Sequence, residues 1–129
     1  MTRIIIVDDE PHITRVLKLA LDRVGYDVLT CRNGVEALNA IRDCAPEILI
    51  TDIQMPQMTG KELCMKLHDE FPLRSFPIFV MTSMTDREHR EWSAQLANVF
   101  FLEKPLSMRI LLQQLEVKLR EQRTAGGVA

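Results

Sequence analysis

The sequence predicts an α/β fold in which a doubly wound, five-stranded parallel sheet carries helices on both faces. Short apolar runs alternate with segments of helical periodicity along the chain, and the connections between them are short. The three most apolar runs carry no polar face, which is typical of parallel strands covered by helices on both sides. A length of 129 residues corresponds to one ordinary domain. We therefore expect a single domain over residues 1–121 and a flexible tail or linker over 122–129.

Five segments rich in β-branched and aromatic residues predict the strands. The runs at residues 4–7, 47–51 and 77–81 are apolar on both faces and are expected at the centre of the sheet. Residues 27–32 and 98–102 are less uniformly apolar and suit the two edges. These positions give the strand order 2-1-3-4-5 of a flavodoxin-like sheet with right-handed crossovers.

A helical segment follows each predicted strand. Gly25 ends the first segment at the position where a left-handed residue is common. Asn33 and Thr59, each followed three residues later by a glutamate, predict the starts of the second and third helices. The fourth segment, residues 85–97, has the weakest apolar stripe, and the fifth begins at Met108. The chain thus repeats a strand–helix unit five times.

The composition excludes several functional classes. The formal net charge is −2, and no clustered basic surface is indicated, so we expect no direct nucleic-acid binding from this domain. No apolar run approaches the roughly 20 residues of a membrane span, and the start is too short and too acidic for a signal peptide. The three cysteines lie at wide spacings without a metal-binding pattern. They predict reduced thiols in a cytoplasmic protein.

Polar side chains follow the predicted strands at one edge of the sheet, where sites form in open parallel sheets. Asp8 and Asp9 follow the first strand, Asp52 follows the third, Thr82 the fourth, and Lys104 comes just after the fifth. Strands one and three are neighbours in this order, so three carboxylates crowd the switch point. Like charges this close repel each other, and a hard divalent cation such as Mg²⁺ offsets the repulsion.

Each of these residues also has a purely structural interpretation. Asp9 could cap the first helix, Thr82 could be a turn hydroxyl, and Lys104 could be a solvated side chain. Taken together, the residues suit phosphoryl transfer instead. Asp52 would be the nucleophile, Mg²⁺ would bind Asp9 and Asp52 with Asp8 in support, and Lys104 and Thr82 would contact phosphoryl oxygens.

Four motifs, in order and on the matching elements, resemble the receiver domain of two-component response regulators, and the chemotaxis-regulator-like receivers in particular. The resemblance covers residues 3–121. The motifs are Val-Asp-Asp-Glu at 7–10, Asp-Ile-Gln-Met-Pro at 52–56 followed by Gly60, Met-Thr-Ser at 81–83, and Phe-Leu-Glu-Lys-Pro at 101–105.

The resemblance implies the chemistry of the site. Asp52 would accept a phosphoryl group from a sensor histidine kinase or a histidine phosphotransfer protein in a Mg²⁺-dependent reaction. Asp9, Asp52 and the backbone carbonyl of Gln54 would bind Mg²⁺, with Asp8 acting through water. Thr82, Ser83 and Lys104 would contact the phosphoryl group. The peptide bond between Lys104 and Pro105 would be cis.

The resemblance also implies a switch. Thr82 and Phe101 would move together, and the face formed by the fourth helix, fifth strand and fifth helix would control a partner or output domain that the sequence does not identify. Gln54 and Met84 would line the access to the phosphoryl group. From the residues alone, Phe101 could instead be a core residue packed against Phe79 or Leu115.

The sequence departs from the usual receiver pattern at residues 96–98, where Leu-Ala-Asn replaces a Gly-Ala pair, so we expect the fourth helix to end differently. The three histidines are scattered, and we expect them to be surface residues.

Two alternatives come from other functional classes. A receiver-like interaction module that acts without phosphorylation would be expected to lack an acidic residue or the lysine, and none is lost here. A phosphatase with an aspartyl nucleophile typically needs a second aspartate two residues later, where this chain has Gln54. We therefore expect no enzymatic activity beyond the chain's own phosphorylation and dephosphorylation.

Overall fold

The computed structural model describes residues 1–83 and 87–126. Strands and helices alternate along this part of the chain. The strands are β1 (Arg3–Val7), β2 (Asp27–Cys31), β3 (Ile48–Asp52), β4 (Ile78–Thr82) and β5 (Val99–Glu103). The helices are α1 (Pro11–Val24), α2 (Gly34–Asp43), α3 (Gly60–Glu70), α4 (Arg87–Ser93) and α5 (Met108–Gly126).

The strands form one parallel sheet in the order β2-β1-β3-β4-β5, which confirms the predicted topology. The register aligns Val7 with Thr51 and Asp52 with Met81. The strands therefore end at nearly the same height. Because all of them run in one direction, their carboxyl ends share one edge, and the loops that follow them are neighbours.

The core has two layers, one on each face of the sheet. Side chains alternate along a strand, so Ile5 and Val7 pack with α2, α3 and α4, whereas Ile4 and Ile6 pack with α1 and α5. All four are completely buried. Burying a side chain of this size is worth about 1.5–3 kcal/mol, so the two layers hold the central strands rigidly beneath the site.

The predicted helix boundaries are confirmed at three positions. Asn33 accepts a hydrogen bond of 2.9 Å from the backbone N–H of Glu36 at the start of α2. Thr59 and Glu62 form a reciprocal capping box at the start of α3. Gly25 ends α1 with a φ of 101°, in the left-handed region that favours glycine.

Asp9 does not cap α1, so the structural interpretation of that residue is wrong. Glu10 occupies the capping position and makes no side-chain capping bond, with Pro11 as the first helical residue. The Asp9 side chain is exposed and remains available to the site.

Helix α4 ends four residues earlier than the predicted segment 85–97. It ends at Ser93, and the backbone N–H of Leu96 donates to the carbonyl of Ser93 over 3.0 Å. Asn98 then takes a φ of 58°, a left-handed conformation that asparagine tolerates well. The guanidinium of Arg74 donates to the carbonyl of Ala97 and holds this turn. Thr85, the expected first residue of the segment, lies outside the described residues.

Helix α5 continues to Gly126, whereas the loss of periodicity after residue 121 predicted a flexible tail. Tertiary hydrogen bonds explain the difference. The side-chain amide of Gln122 donates to the carbonyls of Glu47 and Ser75, each over 3.1 Å. The apolar periodicity of a sequence does not reveal such hydrogen bonds.

Within the described ranges, no helix is long and apolar enough to cross a membrane.

The edge strand β5 is joined to the helices on both sides by aromatic side chains. Phe100 packs against Phe79 with 5.7 Å between ring centroids, and the Lys118 ammonium of α5 lies 4.0 Å from the Phe100 ring centroid. A cation at this distance from a ring face is attracted by its quadrupole. Phe101, on the opposite face, packs with the layer that contains α4.

Candidate functional site

Four elements bring the predicted site residues to one edge of the sheet. Asp8 directly follows β1, Asp52 is the last residue of β3, Thr82 is the last residue of β4, and Lys104 directly follows β5. One carboxylate oxygen from each of Asp8, Asp9 and Asp52 lies within 4.8 Å of the others. The structure thus assembles the carboxylate cluster that the strand order predicted.

The Asp52 carboxylate is buried, with its residue only 4% exposed. Its Oδ1 atom accepts a hydrogen bond of 2.9 Å from the Ile53 backbone N–H and lies 2.9 Å from the Lys104 ammonium. A charge-assisted bond and a backbone bond on the same oxygen fix the orientation of the carboxylate.

Asp8 is the carboxylate of the cluster whose charged form is least favourably surrounded. Its Oδ1 accepts a hydrogen bond of 3.0 Å from the Glu10 backbone N–H, whereas its Oδ2 is buried and has no hydrogen-bond partner among the residues that the structure describes. Burial is the largest cause of a rise in the pKa of Asp8 to about 6. The charges of Asp52 and Asp9 contribute to that rise, and the Glu10 N–H and the Lys104 ammonium oppose it. A buried oxygen without a partner, beside two more carboxylates, fits the oxygen ligand set of Mg²⁺.

Lys104 stays protonated at this site. Burial acts to lower its pKa, but the bond to Asp52 and the charges of Asp52, Asp8 and Glu10 outweigh that effect and raise the pKa above its usual value. The Lys104 backbone N–H donates to the Thr82 carbonyl over 2.8 Å, and the Lys104–Pro105 peptide bond is cis.

The remaining predicted residues surround this centre with different exposure. Thr82 is buried, at 2% exposure, whereas Ser83 and Gln54 are exposed. Met84, the second residue predicted to line the access, lies outside the described residues.

Gly60 is required by the backbone beneath Asp52. A β-carbon at this position would lie 2.3 Å from the Asp52 carbonyl oxygen and 2.9 Å from the α-carbon of Ile53. The Gly60 backbone N–H also donates to the Ile53 carbonyl over 2.8 Å. The absence of a side chain therefore lets α3 begin directly against the end of β3.

Phe101 does not pack against Phe79 or Leu115, so that interpretation is wrong. Those two residues belong to the layer with α1 and α5, and the neighbouring Phe100 occupies the position against Phe79. Phe101 is half-buried, with 5.7 Å between its ring centroid and those of both His89 and Trp92.

His89 is the residue that sequence reasoning missed. It was expected at the surface, but it is half-buried and stacks on the Phe101 ring. The only sequence signal was its spacing from Trp92, because residues three apart share one face of a helix.

With this geometry in place, comparison with known proteins identifies the family. The family model of the response regulator receiver domain matches residues 4–116. The chain belongs to this family. Phosphorylation-dependent switching is the function of receiver domains in two-component response regulators.

Relatives of known name and solved structures agree with this assignment. The alkaline phosphatase synthesis transcriptional regulatory protein PhoP of Bacillus subtilis is 30% identical over 124 residues, which are 96% of this chain and 51% of PhoP. The transcriptional regulatory protein KdpE of Mycobacterium tuberculosis is 29% identical over 98% of this chain and 54% of its own length. The chain therefore spans about half the length of these curated relatives.

Solved receiver structures superpose over nearly the whole chain. A CheY-like response regulator receiver domain protein from Methanospirillum hungatei has a TM-score of 0.88 and 30% identity, covering 97% of this chain and 98% of its own. The chemotaxis protein CheY4 of Vibrio cholerae has a TM-score of 0.83 and 28% identity, covering 90% and 97%. The receiver domain therefore has the flavodoxin-like fold that the sequence predicted.

Proposed function

We propose that Asp52 is the phosphoryl acceptor of this receiver domain and that the donor is the phosphohistidine of a sensor histidine kinase or a histidine phosphotransfer protein. The observation that carries the proposal is the environment of the Asp52 carboxylate. It is buried, oriented by Lys104 and the Ile53 N–H, and adjacent to two further carboxylates. Placing the nucleophile in a fixed orientation supplies most of what phosphoryl transfer requires from a protein.

In the proposed step, a carboxylate oxygen of Asp52 attacks the phosphorus of the donor phosphohistidine. The new O–P bond forms as the N–P bond breaks, and the leaving imidazole keeps the electron pair of that bond and takes up a proton. The product is an acyl phosphate on Asp52. The same phosphoryl group later leaves to water, which is the only other reaction we assign to the chain.

Asp9, Asp52 and the backbone carbonyl of Gln54 would bind Mg²⁺, with Asp8 holding it through water. When bound, the ion neutralises negative charge on the phosphoryl oxygens. Support comes from the buried Oδ2 of Asp8, to which no group in the described part of the chain donates a hydrogen bond. A hydrated cation would provide the missing interaction.

The other site residues would contact the phosphoryl group itself. The Lys104 ammonium, now 2.9 Å from Asp52, would transfer to a phosphoryl oxygen. Thr82 and Ser83 would donate hydrogen bonds to the remaining oxygens, and Gln54 and Met84 would line the path by which water reaches the acyl phosphate. The phosphoryl group adds about −1.5 to −2 charges, which the ammonium and the cation offset.

Phosphorylation would then be communicated through Thr82 and Phe101. When the buried Thr82 hydroxyl moves to the phosphoryl group, space opens behind it, and the Phe101 ring rotates inward to fill that space. The face formed by α4, β5 and α5 changes with the ring and acts on a downstream effector or output domain.

The free thiols of the three cysteines support a location in the reducing cytoplasm.

Phosphorylation by acetyl phosphate with Mg²⁺, followed by intact-mass spectrometry, tests the proposal. We expect one phosphoryl group on the wild-type chain, none on Asp52→Asn, and none when EDTA removes the cation. Asp69→Asn, a substitution of an exposed aspartate on α3, serves as the matched control and should be phosphorylated normally. Equal phosphorylation of the Asp52→Asn protein would contradict the assignment of the acceptor.

A further inference from the structure

Three aromatic side chains form a closed cluster between α4 and β5. The ring centroid of Phe101 lies 5.7 Å from those of His89 and Trp92, and the last two lie 6.3 Å apart. His89 stacks on Phe101 with 28° between the ring planes, whereas the rings of Trp92 and Phe101 are edge-to-face, at 81°. Stacked and edge-to-face arrangements are the favourable geometries for aromatic pairs.

A hydrogen bond inside the cluster fixes the two rings of α4 relative to each other. The Trp92 indole N–H donates to Nδ1 of His89 over 3.2 Å. Trp92 is buried at 8% exposure, so its indole N–H has its partner within the protein. His89 is therefore held by Trp92 in the orientation in which it stacks on Phe101.

We propose that His89 and Trp92 are positioning residues for the switch, which hold the Phe101 ring in its outer, half-buried position until Asp52 is phosphorylated. The inference rests on the proposed function, in which Phe101 rotates inward. Both partner rings lie on α4, and in this proposal the inward rotation carries the Phe101 ring away from both of them. The pair therefore opposes the switch before phosphorylation, and its release changes the packing of α4.

The strength of this opposition follows from the two contacts. Loss of one aromatic pair changes a conformational equilibrium by about 2- to 10-fold. Removing the His89 ring should therefore increase the population of the inward conformation by about this factor. Because phosphorylation and the inward conformation are coupled in this proposal, acetyl phosphate reacts preferentially with that conformation, and phosphorylation of Asp52 accelerates by the same factor.

Trp92 is the only tryptophan in the sequence, so tryptophan emission, excited at the red edge where Tyr26 does not absorb, reports on this cluster. We expect beryllofluoride with Mg²⁺ to shift the emission of the wild-type chain to longer wavelength, because loss of the Phe101 contact admits water to the indole. The Asp52→Asn protein should show no shift.

The His89 variants test the positioning role directly. We expect His89→Ala to be phosphorylated by acetyl phosphate about 2- to 10-fold faster than the wild type. His89→Phe keeps a ring on Phe101 but lacks the acceptor for the Trp92 N–H, so its rate should lie between those of His89→Ala and the wild type. His68→Ala, the same change on α3, is the matched control and should leave the rate unchanged.

The outcomes separate this inference from the proposed function. Phosphorylation of Asp52 without any change in Trp92 emission would overturn the inference and leave the acceptor assignment intact. A rate for His89→Ala equal to that of His68→Ala would overturn it as well. Failure of the wild-type chain to incorporate phosphate at Asp52 would instead contradict the proposed function.

Discussion

The unpartnered carboxylate of Asp8 gives the sharpest quantitative prediction: Asp8→Asn should stabilise the metal-free protein at pH 7. The Asp8 pKa is 3.8 in the unfolded chain and about 6 in the folded protein, mainly because of burial. Folded protein therefore holds this proton more tightly than unfolded protein does. In the wild-type protein, the proton on Asp8 stabilises the folded state. This stabilisation is complete below pH 3.8 and is lost as the pH rises through about 6.

The magnitude follows from the same values. Each pKa unit corresponds to about 1.4 kcal/mol, so the difference between 3.8 and about 6 sets an upper limit of about 3 kcal/mol. Solvent reaches the cluster through the exposed Asp9, and screening reduces the effect to about 1–2 kcal/mol. For a domain of this size, that gain raises the melting temperature by about 4–8 °C.

Urea denaturation in EDTA at pH 7 measures this gain, and repetition at pH 4.5 should show it shrinking, because the folded wild-type protein then has Asp8 mostly protonated. Adding Mg²⁺ should reverse the ranking, since the ion stabilises the wild type and binds the variant more weakly. Asp69→Asn is the control and should leave the free energy of unfolding unchanged, both in EDTA and in Mg²⁺. An Asp8→Asn protein that is less stable than the wild type in EDTA at pH 7 would refute the reasoning.

Three further predictions concern packing, charge and thiol reactivity. Gly60→Ala should lower the free energy of unfolding by about 2–3 kcal/mol in urea denaturation, because its β-carbon meets backbone that cannot move aside. Lys104→Met should weaken beryllofluoride binding by tenfold or more, measured by titration in Mg²⁺, because it removes a charge-assisted contact. A thiol reagent at pH 8 should label Cys44 alone in the native protein. Burial raises the pKa of Cys31 to about 11 and that of Cys64 to about 12, so neither thiol ionises at this pH.

Matched variants control the first two of these predictions. Gly34→Ala should cost less than Gly60→Ala, because the atoms nearest to its β-carbon belong to the flexible Met58 side chain and not to backbone. Equal costs would contradict the argument from backbone contact. Lys66→Met changes an exposed lysine of α3 and should leave beryllofluoride affinity unchanged. Labelling of all three cysteines in the native protein would contradict the burial that the structure assigns to two of them.

Much of the fold and site could be predicted because the relevant physics is local in the sequence. A strand such as Ile48–Asp52, buried at every position, must lie inside a sheet, and the residue at its end must reach the carboxyl edge. Strand order then brings Asp8 beside Asp52 without further information. Capping residues such as Thr59 mark helix starts through bonds to neighbours only three residues away.

The features that could not be predicted depend on contacts between distant segments. The extension of α5 relies on hydrogen bonds from Gln122 to the carbonyls of Glu47 and Ser75, which are far from it in the sequence. The turn that follows α4 accepts a hydrogen bond, at the Ala97 carbonyl, from the guanidinium of Arg74, which lies before β4. The position of His89 depends on which face of α4 meets Phe101, and a weak apolar stripe does not specify that face.

The edge position of β5 has a mechanical consequence. Phe100 and Phe101 are joined by one peptide unit and point to opposite faces, so one is anchored to α5 through Lys118 and the other to α4 through Trp92. Among the described strands, β5 pairs only with β4, so it can tilt about that single hinge line more easily than a strand paired on both sides. A tilt of β5 that moved the Phe101 ring would therefore also move Phe100, in the opposite sense, and would change the packing of α4 and α5 together.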